Sequence, residues 1–105
     1  MIESYICSFN EDCEDFETED QTYNESTIAA IVDHLNDILT NEGCISEYEI
    51  CKGVGLKFTG KLKDHLLKKV YFKEDCTLTF DPEPDGTFNV WVTPFKEENV
   101  ECTEK

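Results

Sequence analysis

Ile28, Ile31, Val32, Leu35, Ile38 and Leu39 recur at intervals of three and four residues. That spacing puts all of them on one side of an α-helix. An apolar stripe of this kind is stable only when a second layer covers it, so it constrains the fold more than any other pattern in the chain. It predicts a helix over about residues 24–41. Thr22–Glu25 has capping-box spacing at its start, Ser26 is a second candidate cap, and Gly43 supplies a stop.

The covering layer is found near the two ends of the chain. Residues 76–80 (Cys-Thr-Leu-Thr-Phe) and 88–92 (Phe-Asn-Val-Trp-Val) both alternate, and Asp81-Pro-Glu-Pro-Asp-Gly86 between them is turn chemistry. Leu78 and Phe80 can then share a face with Phe88, Val90 and Val92, while Trp91 joins Thr77 and Thr79 on the other. Pro94 ends the strand. Residues 2–9 read as a further strand with apolar side chains on both faces. Leu62, Leu66, Leu67 and Val70 mark a second amphipathic helix over about residues 60–72, with Lys61, Lys68 and Lys69 towards its polar side. Residues 44–58 fit either a strand through Ile45, Tyr48 and Ile50 or a short helix begun by Ser46-Glu-Tyr-Glu49. Gly53 and Gly55 interrupt both.

With 105 residues there is material for one modest core. The expected architecture is α+β: a small antiparallel sheet, made of the N-terminal strand and the C-terminal hairpin, packed against two amphipathic helices. It would span residues 1–95 with an acidic loop at 10–22, followed by a polar tail at 96–105.

Charge is sorted along the chain. Residues 1–51 hold fourteen Asp or Glu and no Lys or Arg, and seven of those acids fall within residues 11–20. Residues 52–73 hold seven Lys and one acid, Asp64, and the chain as a whole carries −15. Solubility asks for a magnitude of only about 2–8 in a small domain. Such a field repels nucleic acid and anionic membranes and attracts basic protein surfaces. The lysine block, with Phe58, Tyr71 and Phe72 interleaved, is a poor nucleic-acid patch. It contains no Arg, whose fork recognises phosphate best, and the pI is about 4.2. Its expected role is to offset the acids and to cover apolar surface with lysine stems.

Motifs that carry chemistry are incomplete. Asp81, Glu83, Asp85, Gly86 and an apolar Phe88 follow the start of a calcium loop, but the twelfth position is Val92 instead of a bidentate Glu. The gaps from Cys7 to Cys13 and from Cys44 to Cys51 are too wide for a zinc knuckle, and His34 and His65 stand alone. Nothing singles out a Cys–His pair for nucleophilic catalysis, and no glycine loop continues into a phosphate-binding pattern. No cofactor, metal or catalytic residue is therefore expected. The six cysteines are even in number, which permits disulfides, but the N-terminus shows no signal peptide and no run spans a membrane. Reduced thiols in a cytoplasmic protein are the expectation, in the host cell if the chain is phage-encoded.

Carboxylates spaced along a loop and a helix can imitate the phosphates of a duplex. In size and charge the chain is similar to small acidic phage inhibitors of host defence nucleases, the anti-CRISPR and anti-restriction proteins, and to immunity proteins that block basic toxins. That resemblance implies a non-enzymatic DNA mimic occluding the basic groove of a nucleic-acid-binding enzyme. The candidate contact acids are Glu11, Asp12, Glu14, Asp15, Glu17, Glu19 and Asp20, extended by Asp33 and Asp37. Phe16, Tyr23 and Trp91 are candidate aromatic anchors. The alternatives are an antitoxin neutralising a basic toxin, a secreted domain held by disulfides or calcium, and a generic adaptor.

Overall fold

The computed structural model describes residues 3–56 and 60–95. The expected polar tail at 96–105 and Lys57 and Phe58 of the lysine block lie outside the described residues. The order of elements is β1 (Ser4–Phe9), α1 (Gln21–Glu42), β2 (Cys44–Ser46), α2 (Glu47–Val54), α3 (Gly60–Leu67), β3 (Val70–Phe72), β4 (Cys76–Pro82) and β5 (Phe88–Pro94). Strands β1, β5 and β4, in that order, form an antiparallel sheet, and β2 pairs with β3 in a second, two-stranded one. The fold is α+β, with the N-terminal strand and the C-terminal hairpin forming the larger sheet as expected.

The hairpin follows its alternation. Thr79 pairs with Trp91 and Leu78 with Val92, so Leu78, Phe88, Val90 and Val92 are buried beneath α1. Ile28, Val32, Leu35 and Leu39 meet them from the helix, and Ile45, Ile50, Cys51 and Val54 close the side of the core. Each buried Val, Leu, Ile or Phe among them contributes about 1.5–3 kcal/mol through burial. Strand β1 resolves its two-faced pattern with a bulge. Tyr5 pairs with Trp91 and Cys7 with Val90, which leaves Ile6 as the extra residue. Strict alternation would put Tyr5, Cys7 and Phe9 on one face. Instead Tyr5 is 52% exposed, whereas Cys7 and Phe9 are 6% and 0% exposed.

Helix α1 starts earlier than its apolar stripe implies. Asp20, neither Thr22 nor Ser26, is the N-cap, and its carboxylate accepts the Tyr23 N–H at 3.1 Å. An aspartate caps as well as a threonine and also favours the positive end of the helix dipole. The helix ends at Gly43 in the left-handed conformation (φ 87°). Residues 44–54 divide between both readings. Cys44–Ser46 is strand, and Ser46 then caps α2 through a reciprocal capping box with Glu49.

The helix expected over residues 60–72 stops at Leu67. Val70, Tyr71 and Phe72, β-branched or aromatic, are drawn into a ladder opposite Ser46, Ile45 and Cys44. The Tyr71 hydroxyl donates to Glu47 at 3.0 Å, and burial beside that carboxylate pushes its pKa up to about 12. Only Leu66 of the expected apolar face is buried; Leu62, Leu67 and Val70 are exposed. Among the described residues no helix is long and apolar enough to cross a membrane. Cys7, Cys13, Cys44, Cys51 and Cys76 are free thiols, and Cys102 lies outside the described residues. A hydrogen bond to Cys51, together with burial, keeps the Cys7 thiol well above the ordinary thiol range.

One side chain locks α1 to the sheet. The Asn36 amide accepts from the Leu78 N–H at 2.9 Å and donates to the Leu78 carbonyl at 3.0 Å, as a neighbouring strand would. It also accepts from the Thr77 hydroxyl at 3.1 Å. Asn36→Ala strands both Leu78 groups at a half-buried site, which costs about 1–3 kcal/mol. Urea denaturation of the variant will show a lower midpoint with an unchanged slope.

Candidate acidic interaction surface

The ten residues from Glu11 to Asp20 form neither a helix nor a free coil. Their seven carboxylate-bearing residues are all exposed, while Cys13 is buried and Phe16 half-buried. The two inward residues are three apart, so the chain turns once between them. The Cys13 N–H bonds the Asn10 carbonyl at 2.8 Å, and its thiol donates to the Ser8 carbonyl at 3.4 Å. The Phe16 ring packs edge-on against Phe9, with centroids 5.3 Å apart.

Two residues distant in sequence fix the backbone between these anchors. Asn24 accepts from the Glu17 N–H at 2.8 Å and donates to the Glu17 carbonyl at 2.7 Å, a closed two-bond clamp. Asn24 is 1% exposed and continues the stripe of Ile28, Val32, Leu35 and Leu39 back by one turn. Its side chain is thus engaged at both ends, and the Asn24-Glu-Ser26 sequon is closed to modification in this fold. On the other side, the Gly55 carbonyl accepts the Glu14 N–H at 3.3 Å. Gly55 has φ 104°, and a Cβ there would lie 3.0 Å from the Glu14 nitrogen, so only glycine suits this contact. Glu19 also has positive φ, at 72°, and leads the chain into the Asp20 cap.

The backbone positions that carry the carboxylates are therefore set. Glu11, Glu19 and Asp20 line a cleft of about 450 Å³ against the β4–β5 turn, with Phe16 as part of its wall. The opposite wall brings in Asp85, which the sequence placed in a turn and not on the acidic face. Hydrogen bonds from the Thr87 hydroxyl (2.6 Å) and N–H (3.0 Å) hold the Asp85 carboxyl below the usual carboxylate range. No local pattern pairs residue 85 with residues 11–20, because the two meet only through the β1–β5 ladder. Asp12, Glu14, Asp15 and Glu17 are exposed elsewhere on the same loop.

The remaining candidates separate. Asp33 and Asp37 are exposed on α1 but lie about 20–26 Å along the helix from its cap, taking a rise of ~1.5 Å per residue. Tyr23, 45% exposed, lines a second groove on α1 away from the acidic cleft. Phe16 belongs to the fold, since its ring supports the loop from inside. Trp91 sits on the outer face of the sheet, edge-on to Tyr5 at 5.5 Å and donating to Asp81 at 2.6 Å.

That last contact also bears on the calcium-like segment. Asp81 accepts from Trp91, Glu83 accepts from the Asn89 amide at 2.5 Å, and Asp85 accepts from Thr87. Each carboxylate serves the hairpin, and among the described residues no group of three or more potential ligands is arranged to hold a metal ion. Lys52 and Lys63 lie over the Tyr48 ring, 5.8 and 5.2 Å from its centroid. Cation–π contact with a half-buried tyrosine thus accounts for two members of the lysine block.

The Asn24 clamp yields a direct expectation. Asn24→Ala removes both bonds to Glu17 and lowers stability by about 1–3 kcal/mol. Amide exchange at Glu17 will speed up more than exchange in the β4–β5 ladder. Neither a family model, nor a curated protein, nor a solved structure matches the chain.

Proposed function

We propose that this protein is a small non-enzymatic inhibitor whose acidic loop occupies the basic nucleic-acid-binding groove of a nuclease or related enzyme. The observation that carries the reading is the fixed backbone beneath seven exposed carboxylates. A mobile acidic tail attracts any cation and loses entropy on docking, whereas a held array has met that cost during folding. Held charges also set direction as well as strength of attraction, which favours fast, steered association with a basic groove. The Glu11–Glu19–Asp20 cleft, with Asp85 on its opposite wall, gathers carboxylates that a lysine or arginine side chain would pair with. The mechanism is competitive occlusion: the partner's phosphate-binding cations are engaged by carboxylates and nucleic acid is excluded. Nothing in this role requires chemistry at the loop, in keeping with carboxylates that point outward to solvent.

The test begins with the immobilised chain, a lysate of its native host, and elution by rising salt. The protein released is expected to bind nucleic acid, and adding the free chain should displace labelled DNA from it. Raising salt from about 50 to about 200 mM should weaken the complex at least tenfold, because most of the attraction is between exposed charges. The E14K/D15K/E17K triple variant should keep its melting temperature and lose binding. Full-strength binding by that variant would overturn the proposal.

A further inference from the structure

Helix α1 carries a groove of about 480 Å³, bounded on α1 by Tyr23, Thr27, Ala30, Ile31 and His34 and on α2 by Gly53. It exists because Gly53 has no side chain. A Cβ at that position would lie 2.8 Å from Leu35 Cδ2, so the helices approach closely and leave an open valley above the contact. The walls are mainly apolar, with the hydroxyls of Ser26 and Thr27 and the His34 imidazole as the polar exceptions.

On the α1 side the charges beside this valley have one sign, while on α2 Lys52 precedes Gly53 and lies over the Tyr48 ring. Ser26, Ala30, Asp33 and Asp37 follow at steps of four, three and four, so both aspartates stand on the row that forms its outer lip. Asp20 caps the helix beyond Tyr23, at the other end. Helix α1 contains no Lys or Arg to neutralise any of them. From Tyr23 to Asp37 the row spans about 21 Å at ~1.5 Å per residue, the length of a four-turn helix.

We propose that this groove receives an amphipathic helix of the partner, with apolar side chains against Ala30, Ile31 and the Thr27 methyl and lysines or arginines against Asp33 and Asp37. Charge complementarity selects the basic helix, and an apolar floor between two helices suits the helix-in-groove mode. The inference rests on the acidic surface being the partner-binding face. It adds a second contact, set by shape, to the loop's electrostatic one. Tyr23 then works as the aromatic anchor at one end of the groove.

The probe is a labelled synthetic peptide of about 16 residues built from leucine and lysine, with leucine at helical spacing. Its control is an isomer of the same composition in which no leucine stripe exists. The striped peptide should bind the full chain at least tenfold more tightly than the isomer. Its amide shift changes should centre on Thr27, Ala30 and His34. Ala30→Gln and, separately, Thr27→Gln fill the groove at solvent-facing helix positions without altering charge, and each should erase that tenfold preference. Equal binding of the two peptides would overturn the groove and leave the acidic-loop reading standing. Shift changes at Leu67 and Phe72 in place of α1 would overturn it as well. No binding of either peptide at low salt would overturn it and would also remove the attraction on which the acidic-loop reading depends.

Discussion

Seven carboxylates within ten residues repel one another, and an unsupported segment of that composition would stay extended and mobile. What holds this one is the inward burial of Cys13 and Phe16, three residues apart, with the Asn24 clamp and the Gly55 carbonyl closing the backbone on either side. The anchors are uncharged and lie beneath the loop, so they act at short range on the backbone and leave every carboxylate in water. Local repulsion is overcome by packing, and each charged group keeps its hydration. The acidic cleft, the N-cap of α1 and the entry into the core all follow from that arrangement.

Much of the scaffold was legible from pattern alone. The stripe through Ile28, Val32, Leu35 and Leu39 and the alternation of the hairpin each repeat over enough residues for periodicity to decide. Short elements were not legible in this way. Val70 falls at helical spacing from Leu66 and Leu67, yet its partner Ser46 lies 24 residues earlier and draws it into a strand. The bulge at Ile6 is equally silent, since only β5 reveals which side of β1 meets the core.

The acidic surface was legible as composition but not as geometry. Its supports are Asn24, at the start of the α1 stripe, and Gly55, read as an interruption. Asn24 does leave a sequence signal, as a polar residue on the apolar stripe one turn before Ile28. Gly55 offered no comparable signal, because its role depends on where the loop passes. Asp85 joins the cleft across the sheet, and Gly53 opens the groove by what it lacks. Such roles are set by tertiary neighbours, whereas periodicity reports only on the residue's own element.

The Asn36 amide has a consequence beyond fastening a helix. Strand β4 is an outer strand of its sheet, and outer strands offer vacant peptide groups that invite pairing with another molecule. By occupying both groups of Leu78 at mid-strand, Asn36 denies an incoming chain two adjacent rungs and obliges it to bridge a gap there. The protein is thereby shielded, along this border, from indiscriminate β-sheet growth. Crowding by its own copies is opposed on two scales: mutual repulsion at long range and a stoppered strand at contact.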